Sequence, residues 1–242
     1  MLSSIVRAFN AERAQAWPIQ DWTAHWFADA LDNDSVRGAF VLSIQVALSA
    51  TVIALLLGTL ASFAVHRFRF FGRDVVSFVL VLPIALPGIV TGMALNATIN
   101  TAGIGFTWLT IVIGHATFCV VMVFNNMVAR LRRSSRSIEE ASMDLGADTW
   151  QTFRHITFPV IRTALLAGGL LAFALSFDEV IVTTFTAGTQ ETIPLWILDH
   201  IRQPNQRPIV NVVAVALILL SAVPVYMANR LSSDSVGVSR GR

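Results

Sequence analysis

Residues 130–159 read RLRRSSRSIEEASMDLGADTWQTFRHITFP, and their flanks decide the fold. Upstream lies an apolar run from Thr107 to Ala129, downstream another from Val160 to Phe185. Each exceeds the roughly 20 residues that a helix needs to cross a bilayer. The quoted stretch is therefore a polar link between two spans. It carries Arg130, Arg132, Arg133, Arg136 and Arg154, with Arg162 just inside the next span, which assigns it to the cytoplasm. Connections between packed helices typically take about 2–8 residues, so a link of this length has structure of its own. Ser137 and Glu140 have the spacing of a capping box. Gly146 stands where a left-handed C-terminal cap belongs. Asp148 offers a second N-cap with Gln151 at the third helical position, opening a helix from Thr149 to about Thr157. Pro159 then restarts the chain as the next span. The expectation is two short helices joined by a glycine.

The rest of the chain agrees with a membrane protein. Of 242 residues, 55% are hydrophobic and 13% charged, against about 25% charged in a soluble domain. Three further apolar runs complete five spans: Ala39–Val65, Val75–Ile99 (interrupted by Pro83, Pro87 and Gly88), and Ile209–Ala228. Backbone groups in lipid must be paired internally, so these are helices, and the fold class is an all-α polytopic membrane protein. Arg67, Arg69 and Arg73 follow the first span, and Arg230, Arg240 and Arg242 follow the last. These segments alternate onto the cytoplasmic side with the quoted link. Residues 1–38 then form a periplasmic segment, 39–230 the transmembrane domain and 231–242 a cytoplasmic tail. All 17 basic residues are arginine, yet the net charge is only +2, and no aromatic–basic interleaving suits nucleic acid. Cys119 is the single cysteine, so there is no internal disulfide and no cysteine-based metal cluster.

The motif Glu140-Ala141-Ser142-x3-Gly146-x9-Ile156-x-Phe158-Pro159 resembles the EAA motif of bacterial ABC importer permeases, EAA-x3-G-x9-I-x-LP. The spacing matches throughout; Ser142 stands for the second alanine and Phe158 for leucine. The runs 175–188 (LSFDEVIVTTFTAG), 192–197 (TIPLWI) and 66–72 (HRFRFFG) are similar to spermidine/putrescine-type permeases. The resemblance implies the type I ABC importer transmembrane domain (MetI-like), with five spans visible of an expected six. Residues 5–10 match the stretch just after the family's first helix, so that helix is expected upstream of this sequence or lost by truncation. It also implies that Glu140, Ala141, Ser142, Gly146, Ile156 and Pro159 couple the bundle to a separate ATPase. Glu140 would serve as cap and as a charge for an ATPase arginine. The chain has no GxxxxGK[ST] loop, so ATP and Mg are expected on the partner and no cofactor on this chain. The other implied partners are a second, different permease subunit, a periplasmic solute-binding protein and membrane lipid. The expected cargo is a small cation such as putrescine or spermidine, with an opine, phosphonate, thiamine or iron as alternatives.

Asp178 and Glu179 are the only acids inside a predicted span. Intramembrane carboxylates are costly and usually face a pathway. About 19 residues separate Pro159 from Asp178, close to 28 Å of helix, so Asp178 is expected near the outer mouth. Such carboxylates suit cationic cargo; the alternative is an interfacial group that caps a helix. His115 lies mid-span and is read as bonded to a neighbouring carbonyl or Ser/Thr rather than as a relay. Asn96, Asn100, Asn125 and Asn126 are expected to bond across helices or meet headgroups. Residues 191–201 (ETIPLWILDHI) read as an amphipathic fold-back at the outer surface. An intramembrane enzyme is disfavoured: there is no GxSG, no HExxH and no second buried histidine. A channel or secondary transporter is disfavoured by the lack of an internal repeat and by the elaborated cytoplasmic link.

Overall fold

A computed structural model describes residues 2–12, 19 and 21–237. Arg240 and Arg242, used above for orientation, lie outside the described residues. In chain order the helices are α1 (Leu2–Ala8), α2 (His25–Asp32), α3 (Asp34–Arg67), α4 (Arg73–Ala85), α5 (Gly88–Ala102), α6 (Trp108–Arg132) and α7 (Arg136–Asp144). Then come α8 (Thr149–Thr152), a π-turn (Phe153–Thr157), α9 (Phe158–Phe177), α10 (Ile181–Thr186), α11 (Ile193–His200) and α12 (Arg207–Gly237). Among the described residues there is no strand, only an isolated bridge between Asn10 and Trp22.

Four helical runs are long and apolar enough to span by themselves: Asp34–Arg67, Trp108–Arg132, Thr149–Phe177 and Pro204–Leu231. The remaining apolar run is α4 plus α5, which pass that test only as a pair and are bent by 104° at Leu86–Pro87. At 13 and 15 residues each is about 20–22 Å long, short of the roughly 30 Å of hydrocarbon. Pro87 supplies the break, since it disfavours helical backbone at Leu86, and Leu86 is extended at ψ 144°. The outermost boundaries of the expected transmembrane domain move at both ends. Helix α3 starts at Asp34 rather than Ala39, because the Asn33 carboxamide oxygen accepts from the N–H groups of Ser35 and Val36 at 3.0 and 3.2 Å and caps it earlier. Helix α12 continues past residue 230 to Gly237.

Two compact units divide the chain. The first holds residues 1–49, 87–115 and 175–223. Its apolar centre joins Ala8, Trp26 and Ala30 of the N-terminal segment to Ile193 and Trp196 of α11 and to Val210, Val212 and Val213 of α12. Polar bonds fix this packing: Trp196 Nε1 donates to Ser35 Oγ at 2.8 Å, Ile193 N to Ser43 Oγ at 2.7 Å and Trp26 Nε1 to the Asn10 carbonyl at 2.9 Å. The amphipathic 191–201 segment is thus a helix with its first four residues buried. In the same unit α10 packs on α5. A Cβ on Gly92 would lie 2.5 Å from the Phe185 ring, so only glycine allows this approach.

The second unit holds residues 50–86, 116–174 and 224–242. Here α3, α6 and α9 meet through small residues, the usual device of membrane helix packing. A Cβ on Gly58 of α3 would stand 2.9 Å from the Val120 carbonyl, and one on Gly168 of α9 would stand 3.4 Å from the Val123 Cα. Charge divides with the units. The first carries nine carboxylates and five arginines, the second six carboxylates and twelve arginines.

Candidate functional site

The arginine-rich link folds as a capped helix pair. The N-cap of α7 is Ser135, whose Oγ accepts from the Ser137 N–H at 3.3 Å. Ser137, expected to cap, lies inside the helix. Arg136 offers a physical reason: with the helix starting there, its guanidinium reaches Glu140 at i+4, 3.1 Å away. Glu140 therefore does not close a capping box. It projects from an exposed face, in an ion pair that is largely screened.

Helix α7 ends in a complete Schellman motif. Gly146 N donates to the Met143 carbonyl at 2.9 Å and Ala147 N to the Ser142 carbonyl at 3.1 Å. Gly146 has φ +89°, and a Cβ there would meet nothing within 4 Å. Backbone handedness requires the glycine, not packing within this chain. The second cap follows the sequence reading: Asp148 accepts from Gln151 N at 2.7 Å and Gln151 Oε1 accepts from Asp148 N at 3.1 Å, a closed capping box. Ser142 and Thr152 hydroxyls, 3.2 Å apart, clip α7 to α8.

Pro159 does not restart the chain. Helix runs unbroken from Thr149 to Phe177, and the proline is absorbed by the π-turn before it, where Phe158 N donates to the Phe153 carbonyl five residues back. A proline gives no N–H and displaces the carbonyl four residues earlier; one widened turn relieves both, as π-bulges do. Ile156 in that turn is half-buried, and Pro159 is exposed. Apolar side chains crowd the outside of the pair: Leu145 is 90% exposed and Trp150 65%, with Ile138 and Met143 also exposed. Ala141 lies exposed on the same helix.

Glu139 was not singled out by sequence and does more than its neighbour. Only 13% of its side chain is exposed, and Oε1 accepts both from Arg67 at the end of α3, at 2.5 Å, and from Thr157 Oγ1 in the π-turn, at 2.7 Å. Adjacent helical residues point about 100° apart, so one glutamate of the pair faces in and the other out. Arg67 lies 72 residues away, and that contact gives no local signal.

In the first unit, Asp178 and Glu179 do not sit within a helix. Helix α9 ends at Phe177 and α10 begins at Ile181, so the fourth span is broken where the two acids fall. Glu179 Oε1 accepts from Val182 N at 2.9 Å and holds the first turn of α10. Asp178 is exposed and has no hydrogen-bonding or ionic partner among the described residues. Beneath them His115 is 1% exposed. Its Nδ1 lies 2.7 Å from Ser176 Oγ and its Nε2 2.8 Å from Thr183 Oγ1. The Thr183 hydroxyl donates to the Glu179 carbonyl at 2.8 Å, which joins the ring contact to the break between α9 and α10. His115 is a clasp between α6, α9 and α10, bonded to Ser and Thr as expected. Asn96 bonds across helices, Nδ2 to the Phe185 carbonyl at 2.7 Å. Asn126 instead turns back to the Met122 carbonyl of its own helix, 2.8 Å away.

Apolar spans, two of them joined by an arginine-rich link that folds as an exposed, doubly capped helix pair, fit the class of transport permeases. Residues 50–236 match the family described as binding-protein-dependent transport system inner membrane component, and the chain belongs to that family. It is 34% identical over 232 residues to the putrescine transport system permease protein PotI of Escherichia coli strain K12, covering 92% of this chain and 81% of that one. It is 32% identical over 239 residues to the spermidine/putrescine transport system permease protein PotC of the same strain, covering 98% and 89%. Among solved structures, a bacterial ABC transporter involved in the import of the acidic polysaccharide alginate superposes with a TM-score of 0.67 over 96% of this chain and 88% of that one, at 18% identity. That likeness establishes the fold.

Proposed function

We propose that this chain is the permease subunit of a bacterial inner-membrane importer that takes a small organic polycation, of the putrescine or spermidine kind, into the cytoplasm. The single observation that carries the reading is the helix pair 136–157, with its exposed apolar crown of Ile138, Met143, Leu145 and Trp150 and the full EAA spacing. Apolar surface held out in water by two caps and a Schellman turn marks a protein-binding site. A separate ATPase, which binds ATP and Mg, seats on it. The chain itself performs no catalysis. A second, different permease subunit completes the pathway, and a periplasmic binding protein delivers the cargo.

Two further observations support a cationic cargo. The unit that holds Asp178 has an excess of four carboxylates over arginines, and a field of that sign concentrates cations. Asp178, one of those carboxylates, is exposed and holds no bond among the described residues. The test is uptake of labelled putrescine and spermidine into proteoliposomes holding the intact complex. ATP-dependent uptake of either supports the reading. Transport of a phosphonate, opine, thiamine or iron without polyamine would retain the importer and overturn the cargo. Solute flux without ATP would overturn both.

A further inference from the structure

We propose that Glu139 is the positioning residue that passes movement of the docked helix to the spans, by tying α7 to α3 and α9 at once. This deepens the proposed coupling role and rests on it. Helix α7 is nine residues long, with no buried residue, so apolar packing cannot make it move rigidly with the bundle. Its polar ties must do so. Ser135 acts within the helix's own first turn, and the Arg136–Glu140 pair lies along its surface. Ser142 reaches Thr152, in the first turn of the run that becomes α9, and nothing on α3.

Glu139 alone among these reaches a second span, α3, as well as the run that becomes α9. Its Oε1 is shared between the last residue of α3 and the last residue of the π-turn that opens α9. Arg67 is 35% exposed and Glu139 13%, and a charge-assisted bond is roughly twice as strong as a neutral one. Both partners are themselves held. Arg67 lies over the Phe63 ring at 5.2 Å, one turn back on α3, and Thr157 is 4% exposed. Thr157 also sits in the widened turn forced by Pro159, the one place where the run from α8 into α9 departs from regular α-helical bonding. A pull on α7 therefore reaches α3 through a salt bridge, and α9 at the turn best able to change its pitch.

The experiment uses the whole complex in proteoliposomes and measures ATPase retention, ATP hydrolysis and polyamine uptake together. E139A and R67A should keep the ATPase subunit and at least half of its hydrolysis, yet lose about tenfold in uptake per ATP hydrolysed, the scale of one charged hydrogen bond. The exchange R67E/E139R restores opposite charges and should recover most of that ratio. A residue that served only stability would change protein level but not uptake per ATP. Unchanged uptake per ATP in E139A would overturn the proposal and leave the coupling site standing, as would loss of the ATPase subunit, which would place Glu139 in docking. If the single variants do not accumulate, recovery of coupled uptake in the exchange supports the tie, and no recovery overturns it. An unaltered chain that never retains an ATPase would instead refute the proposed function itself.

Discussion

Gly146 donates its backbone N–H to the Met143 carbonyl at 2.9 Å while holding φ at +89°, and this bond, with that from Ala147 to Ser142, turns the chain from α7 toward α8. Any L-residue there meets a left-handed cost of about 1–2 kcal/mol. Because no atom lies within 4 Å of the missing Cβ, that cost is confined to the turn. G146A should therefore leave the membrane-embedded fold intact, measured by melting of the detergent-solubilised protein, and lower ATPase retention on a nickel column severalfold. Bulkier G146V should abolish retention.

Glycines that look alike in sequence separate sharply by environment. Gly92 faces the Phe185 ring at 2.5 Å from its would-be Cβ, whereas Gly38 has nothing within 4 Å. G92A should destabilise by roughly 1–3 kcal/mol through overpacking. G38A, in the body of α3, should be neutral or gain up to about 1 kcal/mol from helix propensity. Melting temperatures of the two variants, side by side, check this.

His115 holds three helices together through two hydroxyls. H115A empties a buried site and leaves the Ser176 hydroxyl without its ring partner, while Thr183 keeps its bond to the Glu179 carbonyl; a buried polar group left unpaired costs about 1–3 kcal/mol. The variant should melt earlier. The double variant H115L/S176A, which removes polar atoms on both sides of one contact, should recover part of the loss.

The two acids at the break should behave differently. D178N removes an exposed carboxylate that holds no structural bond among the described residues. It should raise the KM for a polycation severalfold at low salt and less at high salt, because exposed charge is screened, with stability unchanged. E179A removes the acceptor at the start of α10 and should cost about 1 kcal/mol. Uptake titrations at two salt concentrations, with melting curves, distinguish them.

The spans were legible because membrane helices need long apolar runs, and 107–129 or 209–228 admit no other reading. The glycine cap and the Asp148–Gln151 box were legible because their chemistry is local. What failed had competitors nearby or partners far away. The stretch RRSSRS offers three serines within four positions, and Arg136's reach to Glu140 goes with Ser135 as the cap. Residues 180–186 (VIVTTFT) continue the apolar character of the α9 run before them, so hydropathy carries the fourth span through a break that only two acids mark. Pro159 read as a restart because local rules make proline a first-turn residue, and a π-turn leaves no local signature. Glu139 and Glu140 are indistinguishable until Arg67 and Thr157 arrive to choose between them.

The central claim is that the crown of the 136–157 helix pair faces the cytoplasm and receives an ATPase. Leu145, 90% exposed, reports on it directly, as a single cysteine L145C in a C119S background. The account predicts no labelling by a membrane-impermeant maleimide in intact cells, full labelling in inverted vesicles, and a cross-link to the ATPase subunit in the assembled complex. Labelling from outside intact cells, or a site that stays free while the ATPase is bound, would contradict it.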